Sequence, residues 1–208
     1  DVNRHVSRWT KPGQASDDVA RFAVTLLACL PGSICLYQGE ELGVLEAELT
    51  FDQLRDPYGI RFWPGFKGRD GCRTPMVWEA ERKNAGFSEG TPWLPVSVES
   101  AARSVDTQQG VAGSVLEHYR SVLGARRKCS ALMQGGFHFL DSSGDMLAFV
   151  REAEAQRVLC VFNFGEEPGT WQPDESMIVR APLISGSATV GDREIKLPPL
   201  GWLVAELS

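Results

Sequence analysis

The hydrophobic pattern of this chain changes period near Leu132, and no other feature of the sequence restricts its fold as much. Up to that point the apolar residues recur at helical spacing. Beyond it they come in short alternating, aromatic runs: Gly136 to Leu140, Met146 to Arg151, Val158 to Phe164, Met177 to Arg180, Glu194 to Leu197 and Trp202 to Leu207. Gly, Pro, Asp and Ser punctuate these runs, which predicts an antiparallel sheet or sandwich. The chain therefore divides into an α/β part over 1–131 and an all-β part over 132–208. No repeat or low-complexity linker separates them, so close packing is expected.

In the first part Ser16 is suited to cap a helix, and Asp17 and Asp18 favour the positive end of its dipole. Val19, Phe22, Ala23, Leu26, Leu27 and Leu30 then fall on one face, and Pro31 with Gly32 stops the helix. Ser33 to Tyr37 reads as a buried strand running into the polar, Gly-flanked stretch Gln38 to Gly43. That sequence of elements is one step of a parallel α/β protein, in which loops after strands carry the chemistry. A long loop follows, from Gln38 to about Pro95. Thr50 and Gln53 have capping-box spacing for a short helix inside it, closed by Asp56 and Pro57. A second long helix begins at Ser114, with Glu117 completing another capping box.

Composition excludes several function classes. A net charge of -6 argues against nucleic acid as a partner. The longest apolar run, Phe22 to Leu30, falls short of the roughly 20 residues needed to cross a membrane. The five cysteines are scattered with no CxxC pair, so neither a disulfide framework nor a thiolate metal site is indicated, and free thiols in a reducing cytoplasm are expected. His5, His118 and His138 lack ligand spacing. The chain opens on Asp1 rather than Met, which leads us to expect a fragment; on their own, Asp1, Arg4, His5 and Arg8 read as a charged, frayed end.

The stretch Lys67 to Trp78, KGRDGCRTPMVW, carries the strongest functional signal. Gly68, Gly71 and Pro75 suit neither a helix nor a regular strand, so a defined loop is predicted. Arg69 and Arg73 are permanently charged donors suited to carboxylates and hydroxyl oxygens, and Phe62, Trp63, Phe66 and Trp78 supply flat walls of the kind sugar rings lie against. One reading is a carbohydrate site. The other is that the arginines tie down a surface loop by pairing with Asp70 or Asp56.

Seven strings in order carry a family resemblance: Asp1 with Arg4 three positions on, YQGEELG at Tyr37 to Gly43, DPYG at Asp56 to Gly59, RDGCRTPMVW at Arg69 to Trp78, NAGFS at Asn84 to Ser88, PWLPV at Pro92 to Val96 and VFNFG at Val161 to Gly165. Together they resemble the C-terminal half of an α-glucosidase of the α-amylase family, the oligo-1,6-glucosidase type. The resemblance implies the last units of a (β/α)8 TIM barrel followed by an antiparallel β-sandwich domain. It also implies a retaining, exo-acting enzyme that releases terminal α-glucose from short oligosaccharides or α-glucosides. A glucosyl-transferring relative and a non-catalytic structural or sugar-binding fragment are the alternatives.

By the same resemblance Asp1 matches the third carboxylate of the family, a transition-state stabiliser. Arg73 would hydrogen-bond the terminal glucose, with Arg4 and Arg69 as supporting partners behind it. Retaining hydrolysis also needs a nucleophile and an acid. The resemblance places both in the N-terminal part of the same enzyme, the expected partner, so this chain alone is expected to be inactive. No cofactor, metal, nucleic-acid or membrane partner is implied.

Overall fold

The structure, a computed structural model, describes residues 2–154 and 156–208. Seven α-helices, four short 3-10 helices and eight strands are assigned among them, one of the 3-10 helices being Phe51–Gln53 with the expected Thr50–Gln53 capping box. The α-helices are α1 (His5–Trp9), α2 (Ser16–Cys29), α3 (Pro57–Phe62), α4 (Val98–Ala101), α5 (Val105–Gln108), α6 (Val115–Lys128) and α7 (Ser130–Gln134). The strands are β1 (Gly136–Leu140), β2 (Met146–Ala153), β3 (Gln156–Asn163), β4 (Gly169–Trp171), β5 (Val179–Ile184), β6 (Thr189–Val190), β7 (Ile195–Leu197) and β8 (Trp202–Leu207). They gather into two compact units, one formed by the chain up to Ala20 with Leu36–His118, the other by Arg21–Cys35 with Tyr119–Ser208.

The first unit is built from short helices, tight turns and irregular chain. Its core has two apolar clusters, one of Leu42, Val44, Val77, Ala85 and Leu116, the other of Leu49, Leu54 and Leu94. Polar ties hold the segments to these cores. Arg103 reaches Asp17 Oδ1 at 2.6 Å and Ser16 Oγ at 3.0 Å, fixing the start of α2. At the start of α6, Ser114 Oγ accepts from Glu117 N at 3.3 Å, and the Glu117 carboxylate accepts from the Gly110 N–H at 2.9 Å.

In the second unit one antiparallel sheet has the order β1-β2-β3-β8-β5 and a smaller one the order β4-β7-β6. The register is fixed by pairs such as Phe149↔Cys160 and Val161↔Leu203. Ala148, Val150, Leu159, Val161 and Leu203 meet Trp171, Ile195 and Leu197 of the smaller sheet in one cluster. The alternate residues Phe149, Cys160, Phe162 and Val204 are buried as well. Phe22 of α2 packs edge-on against Phe162, with ring centroids 5.7 Å apart, so the sheet is covered on both faces and its central strands read as nearly continuous apolar runs. Pro182, which has no N–H to give a ladder, sits in β5 at the sheet edge, where the register shifts.

Two buried arginines close the C-terminal end of α2 within this unit. Arg126 donates to the carbonyls of Ala28, Leu30 and Gly32, and Arg151 donates to Cys29 O at 2.7 Å. Arg151 also reaches Gly135 O at 2.9 Å and Gly136 O at 3.1 Å. The last carbonyls of a helix have no partner within it, and a cation there also complements the dipole. Arg151 is fully buried, and desolvation, followed by the charge of Arg126, lowers its pKa.

Three expectations need correction. Ser33–Tyr37 carries no strand assignment, since a strand exists only against a hydrogen-bonded neighbour and this segment has no ladder partner among the described residues. In α2 the fully buried positions are Ala20, Val24, Thr25, Ala28 and Cys29, while Leu27 is exposed and Leu26 and Leu30 are intermediate. Val19 and Phe22 of the expected face are buried, so the buried stripe includes them but turns away from the leucines. Asp56 and Pro57 begin a helix rather than close one: Asp56 accepts from Tyr58 N as the N-cap of α3, and Pro57 takes its first position.

Candidate functional site

The RDGCR loop is held by two buried carboxylates. Asp56 Oδ2 accepts from Arg69 N at 2.8 Å and Arg69 Nε at 2.9 Å, and Oδ1 accepts from Arg69 Nη2 at 3.0 Å and Tyr58 N at 3.2 Å. Asp70 Oδ2 accepts from Arg55 N at 2.6 Å and Asp56 N at 2.7 Å. Two side chains thus accept from four backbone N–H groups, those of Arg55, Asp56, Tyr58 and Arg69, which no strand or helix ladder among the described residues takes up. The forked guanidinium of Arg69 holds the Asp56 carboxyl well below the usual carboxylate range. Asp56 is therefore ionised and committed to structure.

The DPYG string has a matching steric reason. A Cβ on Gly59 would lie 2.5 Å from Lys67 O, so only glycine lets α3 meet the loop backbone this closely. At the contact point Gly68 has φ +78, a conformation that side chains disfavour. Of the two readings of the arginines, ion pairing with Asp56 describes Arg69.

Arg4 draws two further segments together. It is 4% exposed, so the frayed end expected from composition alone is wrong at this residue. Its Nη1 donates to Gln38 O at 2.9 Å, its Nη2 to Cys72 O at 3.1 Å, and the guanidinium lies 5.4 Å from the centroid of the Tyr37 ring. Gln38 Nε2 donates in turn to Thr74 O at 3.2 Å. The carbonyls flanking Arg73 are thereby tied to Arg4 and to the YQGEELG turn. Burial lowers the Arg4 pKa, against the opposing influence of Tyr37, Cys72 and nearby glutamates.

Glu46 is a participant that the sequence did not reveal. Its Oε2 accepts from Arg4 N at 2.9 Å, its backbone N–H donates to Ser7 Oγ at 2.7 Å, and the next residue, Ala47, donates to Gly71 O at 3.0 Å. Burial, reinforced by Glu48, raises its pKa against the Arg4 N–H and charge. A lone glutamate after a glycine-rich turn has no spacing that would have marked it.

Arg73 itself is half-buried at the end of the loop's single turn, its N–H bonded to Asp70 O at 2.9 Å. Of the aromatic walls, Phe62, Phe66 and Trp78 are exposed, whereas Trp63 is partly buried against the Leu49, Leu54 and Leu94 cluster. Tyr58 and Phe62 stack at 6.5 Å, adding a ring that the sequence reading omitted. A cavity of about 300 Å³ lies alongside, lined by Asn3, Glu46, Glu48, Phe66 and Lys67 among others. The structure thus brings Arg4 and Arg69 onto the loop that carries Arg73. Asp1 lies outside the described residues. Among the described residues no group of three or more His, Cys, Asp or Glu side chains is placed to hold a metal ion, and no helix is long and apolar enough to cross a membrane.

One unit thus carries a carboxylate-braced arginine loop and the other two antiparallel sheets. Comparison with known proteins shows the class to which such a chain belongs. The family profile described as alpha amylase, catalytic domain, matches residues 1–135, and the chain belongs to the alpha-amylase family. A probable alpha-glucosidase of Rhizobium meliloti is 45% identical over all of this chain and 38% of its own length. A probable oligo-1,6-glucosidase of Bacillus subtilis is 32% identical over 83% of this chain and 34% of its own length. The crystal structure of an alpha-glucosyl transfer enzyme, XgtA, superimposes with a TM-score of 0.91 at 42% identity, over 100% of this chain and 39% of that one. The chain spans less than two fifths of the length of each of these relatives.

Proposed function

We propose that this chain is the C-terminal part of a retaining, exo-acting α-glucosidase that releases terminal α-glucose from short oligosaccharides or α-glucosides. In this reading Arg73 binds the terminal glucose and Asp1 stabilises the oxocarbenium-like transition state, because a fixed anion grips that state more tightly than the ground state. Arg4 and Arg69 hold the loop and do not touch the sugar. The nucleophile and the acid/base lie in the N-terminal part of the enzyme, since a whole barrel needs about 250 residues. That part is the partner without which this chain does not turn over, and a cytoplasmic location suits its free thiols.

The observation that carries this reading is the position of Arg4. Three residues after Asp1, it bonds the carbonyl of Cys72, the residue next to Arg73. The segment bearing the proposed anion and the loop bearing the proposed sugar ligand are joined by one side chain. Replacing Arg73 by Ala in the intact enzyme tests it: kcat/KM on maltose should fall by about 10-fold or more, at the scale of a lost charged hydrogen bond of about 1.5–3 kcal/mol. An unchanged kcat/KM would remove Arg73 from the site.

Glucosyl transfer is the second reading, favoured by the 42% identity to an alpha-glucosyl transfer enzyme. With maltose as donor, release of free glucose unaccompanied by transfer products would favour hydrolysis. Accumulation of longer glucosides would favour transfer.

A further inference from the structure

Glu46 joins the two segments that the proposed site depends on, and its own role is unassigned. Its carboxylate caps the Arg4 N–H at 2.9 Å, on the chain that leads from Asp1, and its backbone N–H is held by Ser7 Oγ at 2.7 Å on the same stretch. On the other side, Ala47 N–H bonds Gly71 O at 3.0 Å, and a Cβ on Gly71 would collide with Glu46 Oε1 and with Ala47 O. The glycine of RDGCR is thus the residue that permits the carboxylate to lie against the loop two positions before Arg73. Asp56 and Asp70 fix the loop from other sides, and it is Glu46 that accepts from the Arg4 backbone N–H.

We infer that Glu46 is a positioning residue for the proposed reaction, setting the spacing between the Asp1 segment and the Arg73 loop through its hydrogen bond to Arg4 N. The inference rests on the reading above that Asp1 and Arg73 serve the same sugar. A carboxylate suits the task because it is a strong acceptor at short range, and a geometric error of about 1 Å at a reacting centre costs on the order of 100-fold in rate. An amide retains an acceptor oxygen at the same position, whereas alanine retains none.

The test uses the intact enzyme with E46A, E46Q and D1N variants, reading kcat and KM on p-nitrophenyl α-glucoside and amide hydrogen exchange at Arg4. E46A is expected to lower kcat at least 10-fold with KM changed less than about 3-fold, and to speed Arg4 exchange at least 10-fold, while E46Q stays within about 3-fold of wild type in each. Wild-type kcat in E46A, or equal losses in E46A and E46Q, would overturn the inference. D1N separates the two levels. A crippled D1N beside a fully active E46A refutes the role of Glu46 alone, whereas an active D1N refutes the site reading and this inference with it.

Discussion

Arg151 offers a direct test of how the second unit is held together. The substitution Arg151→Met keeps most of the side-chain volume and removes three donors, those to Cys29 O at 2.7 Å, Gly135 O at 2.9 Å and Gly136 O at 3.1 Å. A buried acceptor left without a partner costs about 1–3 kcal/mol, so three give a gross loss of about 3–9 kcal/mol. Part of this is returned, because the guanidinium is fully buried with no carboxylate hydrogen-bonded to it among the described residues, and methionine removes its desolvation cost. The expected net loss is about 3–5 kcal/mol, the lower part of that gross range. At a urea dependence of about 2–3 kcal/mol/M, the unfolding midpoint followed by tryptophan fluorescence should fall by about 1–2.5 M. A midpoint within about 0.3 M of wild type would mean that the carbonyls find other partners, and that closure of the α2 end does not depend on this side chain.

Two further substitutions probe the loop frame. Gly59→Ala places a methyl group 2.5 Å from Lys67 O and 2.9 Å from Lys67 C, both backbone atoms that cannot swing aside. Overpacking of this kind costs about 1–3 kcal/mol, so the thermal midpoint should drop by about 2–12 °C, and an unchanged scan would deny the close approach. Asp56 is held below the usual carboxylate range chiefly by its hydrogen bonds from Arg69, so its ionised form adds stability that is complete above about pH 4. That stability is lost as the pH falls through the lower folded-state value. Asp56→Asn should therefore be less stable at pH 6 and show a flatter acid limb in urea midpoints taken from pH 6 to pH 2; an acid limb as steep as wild type would refute the assignment.

The features legible in the sequence are those written in local pattern. Six of the eight strands showed as alternating or aromatic runs, and α2 was marked by Ser16 and Pro31 at its ends. β4 and β6, at three and two residues, lack the apolar alternation that marks the equally short β7, with which both pair. Ser33–Tyr37 has the composition of a strand, but composition supplies no neighbour.

Contacts made through backbone carbonyls left no trace. Arg4, Arg126 and Arg151 are buried cations whose acceptors are main-chain oxygens of distant segments, and a main-chain oxygen has no letter in the sequence. Arg69 was readable as a loop tie because its partner, Asp56, is a named side chain nearby in the chain. Glu46 acts through the N–H of Arg4, 42 residues away, and was missed for the same reason as Arg126 and Arg151.

The central claim is that the carboxylate at the head of this chain and the RDGCR arginine act on one glucose unit within a larger enzyme. The most direct measurement is the turnover of p-nitrophenyl α-glucoside by the intact enzyme with and without Asp1→Asn. Loss of one preorganised electrostatic stabiliser predicts a fall of about 10²–10³-fold in kcat with the fold intact. A variant that turns over at the wild-type rate would contradict the claim.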